Sequence, residues 1–197
     1  MFTVFRSYMA EKAGISAEEF EQSAGLLKSK TITKGDFLLR EGEICRFAFF
    51  VEKGLLRSFS IDESGKEHII QFAPENWYVS DRSSMYLNQP SDFFIEAIEE
   101  TQIVLMGRDF LQSVAKISPS FGEFNDKLLH RHILHLQKRI NLLLGASAEK
   151  RYLDFITLYP DLLLRVPQWM VASYLGITPE SLSRVRKELA RRNFNPI

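Results

Sequence analysis

The sequence predicts an α+β protein in which an antiparallel β region is followed by an all-helical C-terminal part. Three observations carry this. Short runs rich in β-branched and aromatic residues, spaced by glycines, fill Thr31 to Met106. A heptad of isoleucine and leucine follows Pro119. A helix–glycine–helix pattern with basic residues occupies Gln168 to Leu189. The chain has 197 residues, 45% hydrophobic and 25% charged, a balance that allows a sizeable core and excludes disorder as the main state.

Phe2 to Leu27 reads as helical. Ser16-Ala17-Glu18-Glu19 has the form of a capping box, and Phe20, Ala24 and Leu27 follow at helical spacing. The β-like runs are Thr31–Thr33, Phe37–Arg40, Ala48–Glu52, Leu55–Ile61 and His68–Phe72, broken at Gly35, Gly42, Gly54 and Gly65. Phe93–Ile98 and Gln102–Met106 add two more. Such short strands predict an antiparallel sandwich or barrel, with Asp62-Glu63-Ser64-Gly65 as a hairpin turn.

After Arg108 the pattern is helical. Asp109–Ile117 forms a short helix, and Ser118-Pro119 starts a long one. Within it Leu129, Ile133, Leu136, Ile140 and Leu143 are separated by 4, 3, 4 and 3 residues. Isoleucine at a and leucine at d favour two parallel strands, so the seam predicts a homodimer. The other reading of the same stripe is packing against the chain's own sheet. Gly145-Ala146-Ser147 makes a hinge, Ser147 caps a helix over Ala148–Tyr159, and Pro160 stops it.

Gln168 to Leu189 carries the functional signal. Ala172 is the small residue where two helices touch, and Gly176 suits the left-handed end of the first. Val171, Leu175, Ile177, Leu182 and Val185 form an apolar inner face. Thr178 caps the second helix, with Pro179 and Glu180 at its first two positions. The outward face carries Glu180, Ser181, Ser183, Arg184 and Lys187, the residue types that read base edges from a recognition helix. With Gln168 and Thr178 these form the candidate DNA-contacting set. The alternative is a surface helix with ordinary solvated charges. The net charge of zero hides an asymmetry: from Thr178 onward five basic residues (Arg184, Arg186, Lys187, Arg191, Arg192) face two acidic ones (Glu180, Glu188). That local +3 favours a polyanion, although basic residues there also complement the helix dipole.

Leu175-Gly176-Ile177-Thr178-Pro179-Glu180-Ser181-Leu182-Ser183-Arg184 resembles the DNA-reading segment of the Crp–Fnr bacterial transcription regulators. The Glu180-x-x-Ser183-Arg184 spacing is similar to the fumarate–nitrate regulator branch. Thr33-Lys34-Gly35-Asp36, Arg40-Glu41-Gly42-Glu43, Val51-Glu52-Lys53-Gly54, Asp62 to Glu67 and Gln71 to Trp77 resemble the family's cyclic-nucleotide-type β-roll. The resemblance covers nearly the whole chain in the right order. It implies an effector-type roll with an N-terminal helix over 1–117, a dimerisation helix over 118–145 and a winged-helix-like helix-turn-helix domain over 146–197. It also implies a cytoplasmic homodimer that places paired recognition helices in successive major grooves of double-stranded DNA, with RNA polymerase as a candidate further partner.

The departures bear on mechanism. Nucleotide-binding members clamp ribose and phosphate with a Gly-Glu and a later Arg-Ser or Arg-Thr. Here those stretches read Trp77-Tyr78-Val79-Ser80-Asp81 and Ser91-Asp92-Phe93-Phe94-Ile95-Glu96-Ala97. No arginine stands at the phosphate position, Asp92 and Glu96 would repel the anion, and Arg82 is only nearby. Cyclic AMP is therefore disfavoured, the effector is unknown, and any ligand is expected to be less anionic and near Trp77 and Tyr78. Cys45 is the single cysteine, which excludes an internal disulfide and a cluster held by cysteines of this stretch. No cofactor is expected. The wing after the recognition helix reads as truncated at Asn193-Phe194-Asn195-Pro196-Ile197, and Pro179 replaces a base-contacting arginine of the cyclic-AMP-responsive members.

Other chemistries fare worse. The longest apolar run, Phe47–Val51, is far too short to span a bilayer, and Met1 to Ala10 does not read as a signal peptide, so no membrane role is expected. His132 and His135 share a helix side but His130 does not, which gives no metal site. Ser113-x-x-Lys116 and Ser147-x-x-Lys150 lack the companion motifs of serine acyl enzymes, so no catalytic residues are assigned. The competing function is a small-molecule-sensing β-roll that acts through protein partners without binding DNA.

Overall fold

The computed structural model describes residues 2–194 and divides into two compact units, Met1–His130 and Arg131–Ile197. The first unit opens with α1 (Thr3–Ala13) and α2 (Ala17–Ala24) rather than one helix. Gly14 ends α1 in the left-handed conformation (φ 66°), and the Ser16–Glu19 capping box then starts α2 with both reciprocal bonds, 3.1 and 2.7 Å. Leu27, expected in the helix, instead begins β1 (Leu27–Ile32). Pairing of this whole segment with β8 (Thr101–Gly107), from Leu27 against Met106 to Ile32 against Thr101, overrides the helical pattern.

Two four-stranded antiparallel sheets make the roll. One has the order β1-β8-β3-β6, with β3 at Phe47–Lys53 and β6 at Tyr78–Val79. The other has the order β2-β7-β4-β5, with β2 at Phe37–Leu39, β4 at Leu56–Ile61, β5 at Glu67–Ala73 and β7 at Phe94–Ala97. Strand β3 explains its own continuous apolar run, because it is buried on both faces. Phe49 and Val51 join Ile32, Leu39, Leu56, Ile95 and Ile103 in one core. Ala48 and Phe50 point the other way, to Phe5, Met9 and Phe20 of the N-terminal helices and to Phe110 of α4 (Arg108–Ile117). Removing a ring such as Phe50 would cost about 3–5 kcal/mol. Between β3 and β4 the chain turns at Gly54 (φ 100°), where an added Cβ would lie 2.7 Å from the Glu100 carbonyl oxygen. The Asp62–Gly65 hairpin forms as expected, with Asp62 accepting from the backbone N–H groups of Ser64 and Lys66.

Two elements of this unit lie outside the sequence expectations, β6 and α3 (Arg82–Leu87). Both are too short to show a period. A side-chain cap starts α3, the Ser84 N–H donating to Asp81 Oδ1 at 3.0 Å. The long helix α5 (Pro119–Gly145) starts after Ser118 as read, and the unit boundary falls within it.

The second unit adds α6 (Ala148–Leu158), capped by Ser147, the unforeseen α7 (Leu162–Arg165), α8 (Gln168–Leu175) and α9 (Pro179–Phe194). Its centre holds Phe155, Tyr159 and Tyr174 with ring centroids 5.4–5.7 Å apart, flanked by buried Val171, Leu175 and Leu182. Residues Asn195 to Ile197, part of the expected truncated wing, lie outside the described residues.

Candidate nucleic-acid interface

Helix α8 ends in two bonds that fix the turn: the Gly176 N–H donates to Ser173 O and the Ile177 N–H to Ala172 O, both at 3.0 Å. With Gly176 at φ 64° this is a Schellman ending. Thr178 then caps α9, its Oγ1 accepting from the Ser181 N–H at 3.2 Å and its hydroxyl lying 3.3 Å from Ser181 Oγ. Proline at the first helical position loses no bond there. Leu182 and Val185 are buried against α8 and α6, and that burial fixes which side of α9 faces outward.

On that outward side Glu180, Ser183, Arg184 and Lys187 are exposed, as are Thr178 and, on α8, Gln168. Ser181 is half-buried and tied into the cap. The Glu180 carboxylate sits over the start of its own helix. Its backbone N–H and the Thr178 hydroxyl hold the pKa below the ordinary carboxylate value. Arg192 has a carboxylate partner, Glu149 of α6, at 2.8 Å, whereas Arg191 is exposed. Thus the exposed side chains from Glu180 to Lys187 are one carboxylate, one hydroxyl and two cations.

The seam of α5 is open in the single chain. Ile133, Leu136, Ile140 and Leu143 are 51%, 36%, 56% and 41% exposed, and Leu129 is half-buried. Large aliphatic side chains repeated along one helix stripe in water mark a protein-contact surface.

The roll closes on itself where a nucleotide clamp would stand. Asp81 and Ser91 are buried and hydrogen-bonded to each other at 2.7 Å. Glu96 is neutralised by Arg57, its cross-strand neighbour, with Nε 2.6 Å from Glu96 Oε2; Glu67 takes Nη1 of the same guanidinium at 2.5 Å. Arg57 also stacks 4.0 Å from the Phe59 ring. Sequence reasoning missed this buried arginine, since its only signal is the Arg57–Glu96 register. Arg82 lies over the Tyr86 ring at 5.0 Å. Tyr78 packs against Tyr8 and Phe50, in the layer beneath the N-terminal helices, where burial raises its pKa well above the usual phenol value. Its hydroxyl is thus committed to that layer and not offered to a ligand within the roll.

Among the described residues no group of three or more His, Cys, Asp or Glu side chains is placed to hold a metal ion, and no helix is long and apolar enough to cross a membrane.

Residues 29–118 match the cyclic nucleotide-binding domain family. The Yersinia pestis fumarate and nitrate reduction regulatory protein is 24% identical over 192 residues, covering 91% of this chain and 76% of its own length. The anaerobic regulatory protein of Haemophilus influenzae is 25% identical over 183 residues, covering 87% of this chain and 70% of its own. FixK2 of Bradyrhizobium japonicum shares the fold with a TM-score of 0.71 at 21% identity, covering 87% of this chain and 88% of that one. Over most of its length the chain is similar to regulators of the Crp–Fnr type. Its α+β architecture, with a roll, a long helix and a helical C-terminal part, is the fold it shares with FixK2. Helices α8 and α9, joined by the Gly176 turn, have the form of a helix-turn-helix.

Proposed function

We propose that this protein is a homodimeric transcription regulator of the Crp–Fnr type that binds double-stranded DNA by sequence through α9. One observation carries the reading. A helix whose start is fixed by Thr178 and Pro179, and whose inner face is buried, offers Glu180, Ser183, Arg184 and Lys187 outward from its first turns. Gln168, Thr178 and Ser181 complete the contact set, with Ser181 acting through the cap. The exposed α5 stripe supports pairing through Leu129, Ile133, Leu136, Ile140 and Leu143. Residues 1–117 would serve as the effector-type part, 118–145 as the dimerisation helix and 146–197 as the reading head. The protein works in the cytoplasm without catalysis or cofactor, and contacts RNA polymerase when bound. The test is selection of bound duplexes from a random pool. The expected output is a two-fold-symmetric pair of half-sites whose retention falls steeply with salt. No enrichment, with a protein partner retained instead, would favour the roll as a sensor without DNA.

A further inference from the structure

Helix ends leave their last carbonyls without intrahelical partners. In α8 the Ala172 and Ser173 carbonyls are taken by the turn itself, but those of Tyr174 and Leu175 are not. Both are met from outside the helix-turn-helix. Arg139 of α5 donates from Nη2 to Tyr174 O at 3.2 Å, and Arg151 of α6 donates from Nη1 to Leu175 O at 2.7 Å. The Arg139 guanidinium also lies 4.0 Å from the centre of the Tyr174 ring. The turn sits directly on the last turns of α5: a Cβ added at Gly176 would lie 3.1 Å from Leu143 Cδ2 and 3.4 Å from Arg151 Nη1. The space enclosed among His135, Arg139, Leu143, Arg151, Asp154 and Tyr174 is only ≈ 20 Å³, room for about one water. Lys138 of α5 and Asp154 of α6 form an ion pair at the same place.

Leu143 belongs to this seat and also to the exposed seam. One face of the last turns of α5 can pair with a second copy while the adjoining face holds the reading head. Arg139 and Leu143 are one helical turn apart, so the two faces share an edge. We propose that Arg139 and Arg151 are positioning residues that lock the reading head onto the end of the dimer helix, so that the seam sets the distance and phase of the two recognition helices. Two arginines suit the task. Each is a planar, pre-organised fork whose charge complements the negative C-terminal end of α8, which a lysine on a flexible stem would do with less directional control. The core of α6, α8 and α9 is built from Phe155, Tyr159, Tyr174 and Leu182, so the guanidiniums orient a folded unit rather than create it.

This rests on the DNA-binding reading, and the experiment separates the two. The full-length protein is titrated, by fluorescence anisotropy, against the selected duplex and against versions with the central spacer changed by one or two base pairs. One base pair moves a half-site by about 3.4 Å along the axis. The wild type should prefer its own spacing by about tenfold or more, because both helices must enter the groove together. In Arg139→Gln and Arg151→Gln the spacing profile should flatten to within about threefold, while the preferred bases of each half-site stay the same. Arg151→Lys, which keeps the charge and one donor, should fall between. Equal loss at every spacing, or an unchanged profile, would overturn the proposal, since a purely structural role lowers all affinities together. If the glutamine variants fail to fold, the profile of Arg151→Lys decides in the same way. A wild type that retains no duplex at any spacing would refute the DNA reading instead.

Discussion

The Asp81 carboxylate and the Ser91 hydroxyl, ten residues apart, are joined by a 2.7 Å hydrogen bond in the interior of the roll. The other Asp81 oxygen caps α3 through the Ser84 N–H, and Ser91 Oγ in turn accepts from the Phe93 N–H at 3.1 Å. The two segments that would grip a cyclic nucleotide thus satisfy each other. A buried carboxylate held in this way repels a phosphate rather than clamping one. Cyclic AMP and cyclic GMP are therefore expected not to bind tightly. Titration calorimetry checks this, and micromolar affinity for either would contradict it.

The same pair carries a stability prediction. Ser91→Ala leaves a buried carboxylate oxygen without its hydroxyl donor and should cost about 1–3 kcal/mol. Denaturant unfolding measures the loss as a lower midpoint at an unchanged slope. A midpoint within error of the wild type would mean that another donor replaces Ser91.

The order of elements was legible because hydrophobic period and glycine spacing report on local structure. The Ser16–Glu19 box, the Ser147 and Thr178 caps and the Gly176 turn were all readable from single residues with one dominant physical role. What escaped depended on long-range pairing. Leu27 looks helical beside Phe20 and Ala24, and only the β8 partner makes it a strand. Arg57 looks like an outward strand residue until the register sets it beside Glu96. Glu96 reads as a charge that would repel a bound anion, whereas its carboxylate is paired with Arg57 across the strands. On α9 the outward residues followed from helical spacing alone. The Glu149 partner of Arg192 did not, since it comes from a different helix.

The exposed stripe on α5 makes the dimer testable. Pairing two seams covers side chains worth roughly 1.5–3 kcal/mol each when fully buried. Ile133→Asp together with Ile140→Asp puts charge into that seam and should give a monomer in analytical sedimentation. Because both side chains are more than half exposed in the single chain, its own fold should persist in circular dichroism. A variant that remains dimeric would move the interface elsewhere.

His135, half-buried on α5, supplies a pH dependence. Its pKa is lowered from the ordinary imidazole value, first by burial and then by His132, Arg139 and Lys138, against the opposing pull of Asp154. A folded pKa below the unfolded one, near 6.5, means that the unfolded chain takes up the proton first as pH falls. This group's contribution is therefore fully present above about pH 6.5 and is lost as pH falls through the window below it. Thermal unfolding between pH 8 and 5.5 should show a drop in midpoint that His135→Gln makes smaller. An equal drop in both proteins would assign the pH dependence to other groups.

The finest assignment lies within α9. Glu180, Ser183 and Arg184 occupy relative positions 0, 3 and 4 and share one side of the helix, and all three are exposed. Arg184 is the side chain able to make two bonds to a guanine edge, so Arg184→Ala should cost about 1–3 kcal/mol and relax preference at one base pair. Glu180 adds a negative charge to a surface drawn to phosphates, which makes sense if it accepts from a base amino group. Its own N–H and the Thr178 hydroxyl lower its pKa and hold it at the start of the helix. Glu180→Ala should then loosen specificity while leaving non-specific affinity unchanged or raised. Farther along the helix, Arg191→Ala should weaken all sequences alike and reduce the salt slope by about 1. Arg192→Ala should change DNA affinity much less, because its guanidinium is engaged by Glu149. Affinities for every single-base variant of the selected site, measured for the four substitutions at two salt concentrations, separate these roles. Losses spread evenly over all base positions for both Glu180→Ala and Arg184→Ala would mean that neither residue reads sequence.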